Sequence, residues 1–323
     1  MGSMQNGRRH GMGMRTRSWA WGVSLAVLGA GCGPGGSGPS PADPVGTQQQ
    51  AALSYNGLSF NGLSFNGLSF NGLSFNGLSF NGLSFNGLSS PAFASWFGLD
   101  PALAAEVMHY VVLCAVPAGQ TRTYTDAGTN TAYTWSGLLG LAPGWSGGAA
   151  ATVAEQQLVS ACLAAHTNPF GVSVPISVQG RDALGQTIPS TPEELASFTR
   201  PESCFFGNLF QGEGVYAGSQ NPPLDATQST SRACAVVDGS GMPRIECAPL
   251  VYVGSCSAVC EPDGTAGLSF LHCSTGGVTY SPITTRIRDA DVAVCGDGTC
   301  QVTESCGAST TYDACAADCG ACP

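Results

Sequence analysis

The sequence predicts an α+β fold: one disulfide-rich head domain, preceded by an array of tandem pentapeptides and followed by a small cysteine module. Three observations carry that prediction. Residues 91–294 mix apolar residues at helical spacing with β-branched and aromatic runs bounded by turn residues. Of 15 cysteines, eight fall from Cys114 to Cys273 and six from Cys295 to Cys322. An even number in each block predicts four and three disulfides that do not cross between blocks. Finally, from Asn56 to Ser89 the unit Asn-Gly-Leu-Ser recurs seven times, with Phe60, Phe65, Phe70, Phe75, Phe80 and Phe85 between copies and Tyr55 leading in. Identity at a fixed period marks a tiled unit and not part of an ordinary core.

Residues 1–31 read as a signal peptide. Arg8, Arg9, Arg15 and Arg17 precede an apolar stretch of 12 residues from Trp19 to Ala30, well short of a membrane span. Leu28-Gly29-Ala30-Gly31-Cys32 resembles a bacterial lipobox, with Gly29 where that pattern has a larger aliphatic residue. The resemblance implies cleavage before Cys32 and diacylglycerol on its sulfur, hence an exported protein of the cell envelope, placed in the outer membrane through its N-terminal lipid. Residues 32–52 are rich in Gly, Pro, Ser and Gln and read as a tether. All 21 carboxylates lie after Cys32, against seven of the 11 arginines, and the chain has no lysine. A surface of that sign repels nucleic acid, so no nucleic-acid partner is expected.

The array occupies residues 53–90. In the frame Leu-Ser-Phe-Asn-Gly it resembles the pentapeptide-repeat family, whose fold is a square right-handed β-helix. The resemblance implies Phe60 and Leu58 pointing inward and Asn61-Gly62 at a corner. Leu58, Leu63 and Leu68 stand where that family has a small residue, and seven units make fewer than two coils. The alternative is an extended spacer, reaching on the order of 100 Å at full stretch. Leu and Phe in every unit would then seek a partner, which points to protein binding or self-association through the array.

In the head, residues 91–294, Asp100-Pro101 predicts a helix start, with Leu103, Val107, Val111 and Cys114 on one face. Residues 121–125 and 131–135 predict a hairpin around Asp126-Ala127-Gly128. A second helix is expected over residues 152–166, with Val153, Leu158, Cys162 and Leu163 apolar. Residues 172–178 form a strand candidate that Pro175 places towards a sheet edge. Thr191-Pro192-Glu193-Glu194 matches a capping box, and residues 278–287 read as a last strand. The disulfide candidates are Cys114, Cys162, Cys204, Cys234, Cys247, Cys256, Cys260 and Cys273, with Cys295, Cys300, Cys306, Cys315, Cys319 and Cys322 in the module. Their connectivity stays open; a bond between Cys114 and Cys162, both on predicted helices, is one option.

The module, residues 295–323, carries Cys295-Gly-Asp-Gly-x-Cys300 and Asp318-Cys319-Gly-x-Cys322 and resembles a cysteine-rich module found at the ends of secreted bacterial proteins. So short a segment has no apolar core and depends on its disulfides. Asp297, Glu304, Asp313 and Asp318 offer oxygen ligands to calcium; read blandly, they are acidic turn residues beside glycine. No other cofactor is expected.

Candidate chemistry in the head is sparse. Gly144-Trp145-Ser146-Gly147-Gly148 matches G-x-S-x-G, and His166 and His272 with Asp225, Asp238 or Asp263 would complete a triad. A nucleophile elbow needs a core strand entering the turn, yet residues 138–143 are rich in Gly and Pro, so a structural loop is the favoured reading. Cys162 and His166, four apart, and His272 beside Cys273 would make a copper or thiol site only with free sulfurs.

Gly137-Leu-Leu-Gly-Leu-Ala-Pro143, Val159-Ser-Ala-Cys-Leu-Ala164 and Phe206-Gly-Asn-Leu-Phe210 resemble uncharacterised cysteine-rich lipoproteins of myxobacterial type. That resemblance brings no activity. The expectation is a non-catalytic, lipid-anchored envelope protein with a structural or surface-interaction role. The alternatives are a serine hydrolase using Ser146 and a precursor whose repeats are modified or released as peptides.

Overall fold

The structure is a computed structural model describing residues 53–56, 58, 59, 88, 91–264, 269–308, 311 and 313–322. The expected signal, Cys32, the tether and nearly all of the array lie outside them. Two short strands come first, β1 (Leu53–Asn56) and β2 (Leu58–Ser59). Helices α1 (Pro91–Phe97) and α2 (Pro101–Ala115) precede a hairpin of β3 (Thr121–Asp126) and β4 (Thr131–Ser136). One turn, α3 (Pro143–Ser146), leads into α4 (Val153–Ala165), β5 (Thr167–Asn168) and β6 (Val174–Gly180). Next come α5 (Pro192–Ser197), β7 (Arg200–Asn208), β8 (Gly214–Ser219), β9 (Gln228–Ser229) and β10 (Leu250–Ser255). The chain continues through α6 (Cys256–Val259), β11 (Cys260–Pro262), β12 (Phe270–Thr275), β13 (Val278–Tyr280) and β14 (Ile283–Ile287). The last elements are β15 (Ala293–Val294) and α7 (Ala316–Cys319).

The central sheet runs β1-β6-β14-β7-β8-β10, antiparallel throughout except for the parallel pair β8 and β10. Helix α4 covers one face, where Leu158, Ala161 and Cys162 pack with Ile176, Val178, Phe205 and Ile283. Side chains alternate along β7, so Cys204 and Phe206 take the other face. There they meet Cys256, Cys260, Phe270, Cys273 and Tyr280, most of them on the small sheet β11-β12-β13. Beyond α4, α1, α2 and the hairpin share an aromatic cluster, with Tyr124 4.9 Å from Phe93 and 4.7 Å from Phe97 between ring centroids.

Seven disulfides pair all fourteen candidate cysteines. Cys114–Cys162 ties α2 to α4, Cys204–Cys256 ties β7 to α6, Cys234–Cys247 closes a loop, and Cys260–Cys273 joins β11 to β12. The module holds Cys295–Cys315, Cys300–Cys319 and Cys306–Cys322, so no bond crosses between blocks. Gly218 makes room for one of them: a Cβ there would lie 2.9 Å from Cys204 Sγ.

Helix starts follow the local chemistry. The Asp100 carboxylate accepts from the Leu103 N–H at 3.1 Å, and Thr152 and Glu155 form a complete capping box. At Thr191 the box is half made: its hydroxyl accepts from the Glu194 N–H, but the buried Glu194 carboxylate accepts from Ser177 Oγ at 2.6 Å instead of closing the box. Three other expectations change. Val153 is 52% exposed, being the first residue of α4, beyond the sheet that covers the rest of that face. Residues 278–287 are two strands, because Ser281-Pro282 turns the chain from the small sheet into the central one and proline has no N–H for a ladder. Finally, β6 is the second strand and not the edge: β1 lies outside it, with Tyr55 opposite Pro175.

Candidate functional site

The G-x-S-x-G string forms a cap and not an elbow. The residues before it hang from the end of α2, with the N–H groups of Leu138 and Leu139 donating to Leu113 O and that of Leu141 to Cys114 O. Glu155 Oε1 accepts from the N–H groups of Gly144 and Trp145 at 2.7 and 3.2 Å, so the serine turn is clamped to the start of α4. Ser146 Oγ donates to Pro143 O at 3.0 Å, and its own carbonyl accepts from Arg122 at 2.5 Å.

The two histidines that the sequence offered for a triad do not meet there. His166 is fully buried at the end of α4, beside Tyr110, its Nδ1 2.8 Å from Cys162 O. Burial pulls its pKa down to about 4, so the ring is neutral at pH 7. Its Nδ1 also lies 3.6 Å from Cys162 Sγ, but that sulfur is bonded to Cys114. His272 is exposed on β12, in the small sheet on the opposite face of the central sheet. The candidate acids are engaged elsewhere. Asp263 takes a bidentate ion pair from Arg181 at 2.8 and 3.1 Å, and Asp238 caps its own turn at Ser240. Asp225 is exposed, on the loop before β9. The buried pair Arg232–Glu202, at 2.6 Å, was not foreseen; Arg232 also donates to Thr167 O.

The module's carboxylates are built into its turns. Asp318 accepts from the N–H groups of Gly296 and Gly298 at 2.5 and 2.9 Å, and Asp297 from those of Thr299 and the Gln301 side chain. Glu304 accepts from the Gln301 N–H at 3.2 Å, and hydrogen bonding from Thr311 holds Asp313 below the usual carboxylate range. Of the four, Glu304 and Asp318 approach one another, beside Cys295 and Cys315, whose sulfurs are bonded together.

What the fold does assemble is a sheet edge covered by the chain's own N-terminal segment. The array's leading unit, Tyr55-Asn56-Gly57-Leu58-Ser59, supplies the second half of β1 and all of β2. Strand β1 runs antiparallel to β6, from Leu53 opposite Ser177 to Asn56 opposite Val174. Strand β2 runs parallel to β5, with Leu58 opposite Thr167 and Ser59 opposite Asn168. This is β-augmentation, in which backbone groups supply the attraction and side chains the register. Pro175 signalled in the sequence only that β6 is the head's own edge; the strand that pairs with it had no local signal.

No protein family, curated protein or solved structure matches this chain. Among the described residues no helix is long and apolar enough to cross a membrane. Seven disulfides are consistent with an exported or extracellular protein.

Proposed function

We propose that this is an exported, non-catalytic cell-envelope protein, anchored in the outer membrane by lipid on Cys32, with a structural or surface-interaction role. The observation that supports the reading is the pairing of the array's first unit with the sheet edge of the head. Backbone pairing of that kind is nearly indifferent to which copy of a repeated strand supplies it. Six further units carry Asn-Gly-Leu-Ser, five of them followed by phenylalanine as the leading unit is. They present the same donors, acceptors and apolar side chains to a partner protein or to a second copy of the chain.

Mass spectrometry without reduction, on protein taken from its own membrane fraction, tests this. The expected mass is residues 32–323 plus lipid, less two hydrogens for each of the seven disulfides, with an unaltered array. A constant mass change per repeat, or loss of the repeats, would make the array a product. Labelling of Ser146 by a serine-reactive probe would reinstate the hydrolase. In sedimentation, deletion of residues 61–85, which removes five units and keeps Leu88 in the cluster with Phe93 and Phe97, should abolish self-association while leaving the head folded.

A further inference from the structure

Strand β10 ends the central sheet, and among the described residues no strand pairs with its outer side. Beside it lies a groove of about 450 Å³, walled by Met242, Pro243, Ile245, Pro249, Val251 and Tyr252. The Cys234–Cys247 bond closes the loop that carries this wall to the start of β10. Two of its apolar side chains face water, Met242 at 58% and Val251 at 51% exposure. Edge strands are commonly guarded by charge or proline, yet residues 250–255, Leu-Val-Tyr-Val-Gly-Ser, contain neither. The break in register comes only after Tyr252, so residues 250–252 run regularly against Val215, Tyr216 and Ala217. Such an edge is a template for another strand.

The opposite edge of the same sheet indicates which strand fits. There, Leu53-Ser54-Tyr55-Asn56 covers β6. The same tetrad, with phenylalanine for tyrosine, recurs six times, from Leu58-Ser59-Phe60-Asn61 to Leu83-Ser84-Phe85-Asn86. In a paired strand its Leu and Phe, two apart, share one face and its Ser and Asn the other, so the unit has an apolar side for an apolar groove. It also carries no charge, and so approaches without the repulsion that two acidic heads exert on each other.

We propose that the open edge of β10 accepts a Leu-Ser-Phe-Asn unit from the array of a second copy of this chain, as β6 accepts residues 53–56 of its own. The two sheet edges are five strand spacings apart, about 24 Å, and the array is tied down away from β10, at Ser59 beside Asn168 and at Leu88 in the aromatic cluster. A unit of the same chain would have to cross the sheet and return, ordering much of the array, whereas a unit of a second copy orders only the residues that pair. The contact joins array to head, so each copy carries both halves of the interface. This rests on the interaction reading above and adds the surface that receives the array.

Two variants separate the halves, made in residues 33–323, which hold every described residue and no acyl chain, with disulfides intact. Val251→Lys places a charge on the exposed edge and keeps the array; deletion of residues 61–85 removes five units and keeps β10. In sedimentation the parent should self-associate, with amide protection at residues 250–253 rising with protein concentration. Val251→Lys should weaken association by about tenfold or more with circular dichroism unchanged, and Met242→Lys, outside any strand, by a few-fold. The Val251→Lys chain and the deleted chain should each be monomeric alone, yet the deleted chain should form a one-to-one complex with the parent's array, supplied as the Val251→Lys chain. The inference is overturned if both lysine variants associate as the parent does, if the mixture stays monomeric, or if the parent is monomeric. Protection of residues 250–253 in a monomeric parent would make the chain's own array the occupant. Those outcomes leave the interaction reading standing for another partner; loss or alteration of the repeats in the native protein would overturn that reading itself.

Discussion

The head and the C-terminal module use disulfides for opposite ends. In the head, Cys114–Cys162 lies within an apolar cluster that already contains Leu158, Ile176, Phe205 and Ile283, so the bond reinforces a core that exists without it. In the module only Thr303 and Cys315 are buried among the described residues, while Cys300 and Cys322 are exposed. There the three bonds, the Asp318 cap and the Ser229–Thr303 hydroxyl contact at 2.7 Å to the head take the place of a core. Cross-links are supplementary where apolar area can be buried, and they are the fold where it cannot.

Removing one bond from each region is the strongest way to break that comparison. Cys300→Ala with Cys319→Ala should abolish hydrogen-exchange protection across residues 295–322 while α2, α4 and β7 stay protected. A module that kept its protection would show that it has a core of its own. Cys114→Ala with Cys162→Ala, closing a separation of 48 residues, should lower the head's stability by about 4 kcal/mol in denaturant melts without loss of native circular dichroism. Loss of the fold would mean that the head needs its cross-links as the module does.

Acid should act on the head through His166. Its imidazole is neutral when folded, with a pKa of about 4 against an ordinary 6.5, so below pH 6.5 the unfolded chain takes the proton more readily. Stability should therefore be fully present above pH 6.5 and fall by about 3 kcal/mol as the pH drops to 4. His166→Asn should flatten that part of the profile, and an unchanged slope would mean the ring is not the group that titrates. The smallest effect belongs to a helix start: Asp100→Ala should cost about 1 kcal/mol, read as a lower Tm, since one N–H loses its acceptor.

Legibility in the sequence follows the range of the interactions. The caps at Asp100 and Thr152 act over three residues, so the starts of α2 and α4 were readable from adjacent letters, as was the hairpin around Asp126. The serine string was readable too, through the Gly and Pro that precede it, as a turn and not an elbow. The partner of each cysteine was not, because Cys204–Cys256 forms only once β7 and the end of β10 meet at a sheet that four other strands complete. The open edge was equally hidden. Residues 250–255 are uncharged letters like many others, and only the strand order of the sheet leaves β10 with a neighbour on one side.

The sequence by itself determined the mixture of helix and strand, the acidic charge, the repeat, and an even division of cysteines into two blocks. These depend on composition, period and contacts within a helical turn, which no distant segment can alter. Tertiary structure alone decided which cysteines join, that Pro175 lies under a strand from the array's first unit, and that β10 is left as the open edge of the sheet. Each of those depends on segments whose separation along the chain says nothing of their distance in space, and only burial of the shared core brings them together.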